Sequence, residues 1–231
     1  MLDPERDYTD SDLAALEAEE LERLKDFSLG EPALVCRWRL AERSLPLANR
    51  HMRALGARTV NGAPLTPELL GWVRQHVEWT LGDGAWEHPD GVLMLVIDKD
   101  GHAAMSLGEF EPLADASAAA LRGRARLAAS EQAETGVAPE VLFAERDGAM
   151  VVGLAEGAPR AGAVSLVVDL ASTLGVPVSF DPTLADSDDA AVFLVSDEHG
   201  VVPASDGEGS LGRRFSEHYA KLLASTKPPR R

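Results

Sequence analysis

Two apolar runs, each meeting an Asp-Gly turn, constrain this chain more than anything else in it. Gly91-Val-Leu-Met-Leu-Val-Ile97 enters Asp98-Lys-Asp-Gly101, and Ala103-Ala-Met-Ser-Leu107 returns. Val141-Leu-Phe-Ala-Glu-Arg146 enters Asp147-Gly148, and Ala149-Met-Val-Val-Gly153 returns. Aspartate and glycine accept the positive φ that a tight hairpin turn demands, so both stretches predict antiparallel hairpins. Pro112 lies between the first hairpin and an Ala-rich stretch, where composition changes. It is the candidate domain boundary, and it predicts that the hairpins belong to different domains.

Helical signals surround the hairpins. Ser11 or Asp12 caps an expected helix running through Leu13-Ala-Ala-Leu16 to about Lys25, with a narrow apolar stripe of Leu13, Leu16, Leu21 and Leu24. Ala33–Leu40 reads as a strand and Asn49–Leu55 as a short helix that Gly56 ends. Thr66-Pro67 opens a helix, because the first helical position loses nothing when its N–H is missing, and Gly82-Asp-Gly84 closes it. Residues 114–134 read as a helix carrying Arg122, Arg124 and Arg126, and residues 163–175 as another. A strand at Val176–Phe180, an acidic loop, a strand at Ala190–Val195 and a helix from about Leu211 to Leu223 complete the order. The chain so divides into an acidic helical extension (1–30), a smaller α/β domain (31–112), a larger one (113–226) and a basic tail (227–231).

Charge narrows the partners. The chain carries a net −16. Residues 1–31 hold eleven acids against Arg6, Arg23 and Lys25, and residues 161–212 hold nine acids with no Lys or Arg. Polyanions are therefore poor partners, and neither nucleic acid nor an anionic membrane is expected. The single cysteine, Cys36, excludes a disulfide framework and any multi-cysteine metal site. No apolar run approaches the ~18 residues of a membrane span, and the N-terminus shows no basic-then-apolar leader. A cytoplasmic protein is expected.

The short motifs weaken on inspection. Gly207-Glu-Gly-Ser-Leu-Gly212 has dinucleotide-loop spacing, but no strand follows it, and Asp206 and Glu208 would repel a pyrophosphate. Asp98-Lys-Asp-Gly101 lacks the later ligands of a calcium loop. Asp181, Asp186, Asp188 and Asp189 read as a solvated loop, and no histidine pair has zinc-hydrolase spacing, so no metal site is expected. No catalytic constellation emerges. Lysine is scarce, with Lys25, Lys99, Lys221 and Lys227 the whole supply.

The order of elements resembles the class IV aminotransferase fold, which includes branched-chain and D-amino-acid transaminases and aminodeoxychorismate lyase. Val164-Ser-Leu-Val-Val-Asp-Leu-Ala-Ser-Thr-Leu-Gly-Val-Pro-Val178 is similar to that family's helix-then-strand. Ala190-Ala-Val-Phe-Leu-Val-Ser-Asp197, followed by Gly200-Val-Val-Pro203, is similar to its strand and phosphate turn. Gly209–Tyr219 looks like its closing helix. Gly136–Phe143 and Leu45–Leu55, with His51 in register, resemble segments upstream. The resemblance implies an α/β (α+β) fold of two domains, a homodimer with Trp72, Trp79 and Trp86 as candidate contacts, and a pyridoxal phosphate pocket. Arg122, Glu156, Ser196 and Asp197 are the candidate pocket residues.

The departures decide the functional expectation. The resemblance implies a catalytic lysine near Ala119 or Arg122, where none stands, and an arginine stays protonated and forms no imine. A phosphate-binding arginine falls on Leu47, and the phosphate cradle falls on Gly162-Ala163-Val164, without a hydroxyl. Asp197 would put a carboxylate beside the phosphate. Glu156 persists as the match to a glutamate that holds the pyridine nitrogen. The expectation is an aminotransferase-like protein that has lost pyridoxal phosphate chemistry, binds no cofactor and keeps a small-molecule or protein-binding role. Two alternatives stay open: an active pyridoxal-phosphate-dependent transaminase or lyase with an unrecognised lysine, and an unrelated α/β interaction module.

Overall fold

A computed structural model describes residues 28–228, so the helix expected over Ser11–Lys25 and the end of the basic tail lie outside the described residues. The described chain begins with β1 (Pro32–Arg39), α1 (Ala48–Leu55), a small hairpin of β2 (Thr59–Val60) and β3 (Ala63–Pro64), and α2 (Pro67–Asp83). Thr66 caps α2, its hydroxyl accepting the Leu69 N–H at 3.2 Å, with Pro67 in the first turn. β4 (Val92–Asp98) and β5 (Ala103–Gly108) form the first Asp-Gly hairpin, and with β1 they make an antiparallel sheet in the order β1-β4-β5. Leu34, Cys36 and Trp38 of β1 and Leu93, Leu95 and Ile97 of β4 pack against Leu55 of α1 and Val73 and Val77 of α2. The hairpin turn is not wholly solvated. Asp98 is buried, and its carboxylate accepts the backbone N–H groups of Gly30, Asp100 and His102.

Residues 109–117 run to the second unit. It consists of α3 (Ala118–Thr135), β6 (Glu140–Arg146), β7 (Ala149–Val152), α4 (Gly162–Thr173), β8 (Val178–Phe180), β9 (Val192–Ser196), β10 (Gly200–Pro203) and α5 (Ser210–Ser225). The five strands lie in the order β10-β9-β6-β7-β8, so the two Asp-Gly hairpins belong to different sheets. All neighbours are antiparallel except β7 and β8, which α4 joins as a crossover. Both faces of this sheet are covered. Val141 and Phe143 point into a core with α4 and α5, while Leu142 and Ala144 pack with Leu121 and Ala125 of α3. That two-sided burial explains why β6 is a continuous apolar run rather than a polar–apolar alternation.

Two boundaries differ from the sequence expectation for local reasons. α3 starts at Ala118 because the Ser117 hydroxyl accepts the Ala120 N–H at 3.3 Å, which fixes the cap. β8 starts at Val178 because Gly175 turns the chain with φ 69° and Pro177 offers no N–H to a ladder. Trp79 and Trp86 are 56% and 57% exposed, whereas Trp72 is half-buried and stacks on His76. Among the described residues, no helix is long and apolar enough to cross a membrane.

Candidate functional site

A cleft of about 440 Å³ opens where β1 meets α3, the start of β6 and the β9–β10 turn. That volume suits a small ligand. Its walls carry both signs of charge. Arg124 clasps Glu140 with two hydrogen bonds of 2.8 and 2.6 Å. Arg58, buried, donates to the Thr135 hydroxyl at 3.3 Å and lies 3.8 Å from Glu131. Arg37 reaches Glu198 at 3.4 Å. Burial pushes the Glu131 carboxyl upward, and the Arg58 charge only partly opposes this. Cys36 stands in the same wall, but burial pushes its thiol up to about 11, so it offers no thiolate near neutrality.

The tightest arrangement lies at one end of this cleft, where α4 begins. A helix start leaves N–H groups unpaired and attracts negative charge. Here the residue before the helix supplies no side-chain cap. Instead Asp197, from the β9–β10 turn, accepts the N–H groups of Gly162 at 3.2 Å and Ala163 at 2.6 Å. His51 of α1 approaches from the other side. Its Nδ1 is 3.1 Å from the Asp197 carboxylate, and its ring stacks on Trp38 with centroids 5.5 Å apart. Burial raises the Asp197 pKa, but His51 and the two backbone N–H groups outweigh it and hold the carboxyl below its ordinary value. The Asp197 carbonyl also accepts the Arg39 N–H at 2.9 Å. One residue therefore ties β1, α1 and α4 together.

The sequence candidates separate. Ser196 and Asp197 both line the cleft. Glu156 is exposed on the loop after β7, and Arg122 is absent from the cleft lining. Arg122 and Arg126, one turn apart, share a face of α3 that holds the segment after β8. Arg122 donates to the Ser187 carbonyl at 2.8 Å, and Arg126 to Asp186 at 2.9 Å. Arg124, on the other side of the helix, is the arginine that faces the cleft. Spacing alone could have found it, since residues two apart on a helix point in nearly opposite directions. Arg58, Glu131 and Glu140 carried no comparable signal.

The described lysines lie elsewhere. Lys99 pairs with Glu31 at 2.7 Å, Lys221 is exposed on α5, and the Lys227 carbonyl accepts from the Ser44 hydroxyl at 2.8 Å. Lys25 is outside the described residues. The acidic loop is largely neutralised by arginine. Arg146 holds Asp189 by two bonds of 2.8 and 2.7 Å and lies 3.6 Å from Asp181. Asp98, Asp100 and His102 gather at the first hairpin, but the Asp98 oxygens are already taken by N–H donors.

No family model matches the chain, and no curated protein matches it in sequence. Solved structures do match its fold. A Thermotoga maritima protein, solved as a candidate branched-chain amino acid aminotransferase, superposes with a TM-score of 0.56 at 13% identity, over 97% of this chain and 94% of that one. The 4-amino-4-deoxychorismate lyase of Pseudomonas aeruginosa gives a TM-score of 0.53 at 15% identity, over 83% of this chain and 91% of that one. A hypothetical aminotransferase from Mycobacterium tuberculosis, also solved in a PLP-bound form, gives 0.52 at 14% identity, over 97% and 94%. Identities this low speak for architecture alone. The chain has the class IV aminotransferase-like fold.

Proposed function

We propose that this protein performs no pyridoxal phosphate chemistry and uses its cleft to bind a small polar molecule. The lining of the cleft carries this reading, because among the described residues its cationic side chains are Arg37, Arg58 and Arg124, with no lysine. An imine needs a primary amine that can lose its proton beside the ring, and a guanidinium does neither. Pyridoxal phosphate does not fit the residues present. Its aldehyde finds no amine among the described residues of the cleft, and the helix start that the resemblance gives to its phosphate already holds the Asp197 carboxylate. The cleft instead offers guanidinium and carboxylate groups in one confined space, which suits a molecule bearing both charges, such as a small zwitterion. Neither nucleic acid nor a membrane enters this reading.

Incubation with excess pyridoxal phosphate, borohydride reduction and intact-mass measurement tests it. The expected result is no more labelling than the exposed lysines of an unrelated protein show. A stoichiometric pyridoxyl adduct on one lysine, abolished by changing that lysine, would overturn the proposal and restore the transaminase or lyase reading.

A further inference from the structure

A second groove, of about 470 Å³, lies between α1, the last turns of α2 and the loop after β1, and it shares no lining residue with the cleft. Leu45, Ala48, Met52, Val77 and Leu81 form its apolar wall, with Met52 and Leu81 only half-buried. Arg43 and Arg74 stand beside that wall, and neither has an ion-pair partner among the described residues. Glu78 is the one acid in the lining. The surrounding stretch is basic as well. Residues 32–82 carry seven arginines against Glu42, Glu68 and Glu78, a net +4 in a chain of net −16. An apolar groove beside unpaired charge marks a surface that another element covers.

We infer that residues 1–27 of this same chain dock in that groove, their leucines against its apolar wall and their acids against Arg43 and Arg74. These residues lie outside the described ones, and their sequence supplies the complementary chemistry. They hold ten acids against Arg6, Arg23 and Lys25, and Leu13, Leu16, Leu21 and Leu24 share one face of the helix expected over Ser11–Lys25. The point of attachment fits. Gly30 is held near the start of β1 by its N–H bond to Asp98 at 2.9 Å, while the groove adjoins the loop at the other end of that strand. The 8 residues of β1 cover roughly 26 Å, and a helix over Ser11–Lys25 covers about 22 Å. With Lys25 beside Gly30, Leu13 and Leu16 therefore reach the groove. Attachment also favours this occupant over a free partner, because a tethered segment meets the groove at an effective concentration on the order of millimolar. The inference stands apart from the reading of the cleft, and borohydride labelling does not bear on it.

The test places nitroxide labels on Ala14→Cys and Gln75→Cys in the full chain and measures the distance between them by double electron–electron resonance. Gln75 is exposed on α2 and outside the groove lining, and the native Cys36 is too buried to take a label. The expected result is one narrow distance distribution, unchanged when labelled protein is diluted into unlabelled. Adding Leu13→Asp with Leu16→Asp, or Arg43→Glu with Arg74→Glu, is expected to abolish the narrow peak. The leucine pair lies outside the described core, so it reads docking even where the arginine pair destabilises the fold. A broad distribution in the parent labelled chain, or a narrow one that survives the leucine substitutions, would overturn the inference. So would a peak that fades on dilution with unlabelled protein, which would give the groove to a second copy of the chain.

Discussion

Gly162→Ala sets two effects of opposite sign against each other. Alanine is the better helix former, worth about 0.5–1 kcal/mol over glycine in a helix. At Gly162, however, a Cβ would lie 2.5 Å from His51 Nδ1, 3.0 Å from its Cε1 and 3.2 Å from its backbone nitrogen. His51 has nowhere to go, being 2% exposed and stacked on Trp38, itself 2% exposed. The start of α4 must therefore retreat by roughly 1 Å to recover an ordinary contact distance. Overpacking of this kind costs ~1–3 kcal/mol. The same movement stretches the 2.6 Å bond from Ala163 to Asp197. A hydrogen bond to a charged group contributes ~1.5–3 kcal/mol, of which part is lost. The steric and electrostatic losses exceed the propensity gain, and the net expectation is a destabilisation of about 2–4 kcal/mol. In a chain of this size that lowers the melting temperature by roughly 5–15 °C.

Urea unfolding at pH 7, followed by tryptophan fluorescence, measures it. Gly71→Ala in α2 and Gly123→Ala in α3 are the controls, since nothing lies within 4 Å of a Cβ at either position. Both should stabilise by about 0.5–1 kcal/mol. If Gly162→Ala matches these controls in sign, the packing of His51 against the start of α4 is not as described.

Two further outcomes follow from buried titratable groups. Asp197 titrates below its ordinary value in the folded chain, because His51 and two N–H groups outweigh its burial. Its stabilisation is therefore complete above the unfolded value of ~3.9 and is lost as pH falls through the lower folded value. Urea midpoints measured from pH 6 to 2.5 should fall more steeply for the native protein than for Asp197→Asn, and parallel curves would contradict this. Cys36, 4% exposed and with its thiol pushed up to about 11, should react with a disulfide reagent at pH 8 only as fast as the protein unfolds. Rapid labelling without urea would refute that burial.

Local chemistry was legible where one residue type sets the backbone. Asp147-Gly148, both at positive φ, forces the second hairpin, and Thr66-Pro67 starts α2 where a cap and a proline must. Asn61-Gly62 carries an equally good hairpin signal, since both residues have positive φ, and the two-residue strands around it were too short to register as a pattern. The parallel pairing of β7 with β8 was not legible, because it depends on how α4 crosses the sheet and not on the strands themselves. Within the site, the family resemblance put Asp197 beside a phosphate position, where its carboxylate would repel. Folding places that carboxylate on the helix start itself, a contact between distant segments that no local pattern encodes. Arg122 drew attention through the resemblance, while the one-turn spacing of Arg122 and Arg126 already implied a shared face turned away from Arg124.

The bonds that tie the two ends of the described chain together are long in sequence. Arg37 and Glu198 are 161 residues apart, and Arg50 and Asp169, which join α1 to α4, are 119 apart. Contacts of such long range form slowly, since a large loop must close before any of them contributes. During synthesis the β1-β4-β5 sheet emerges well before α4 and β9, so His51 must wait for the group it faces. Its imidazole lacks the Asp197 carboxylate through that interval, and a nascent chain stalled before residue 162 would display this side chain to chaperones.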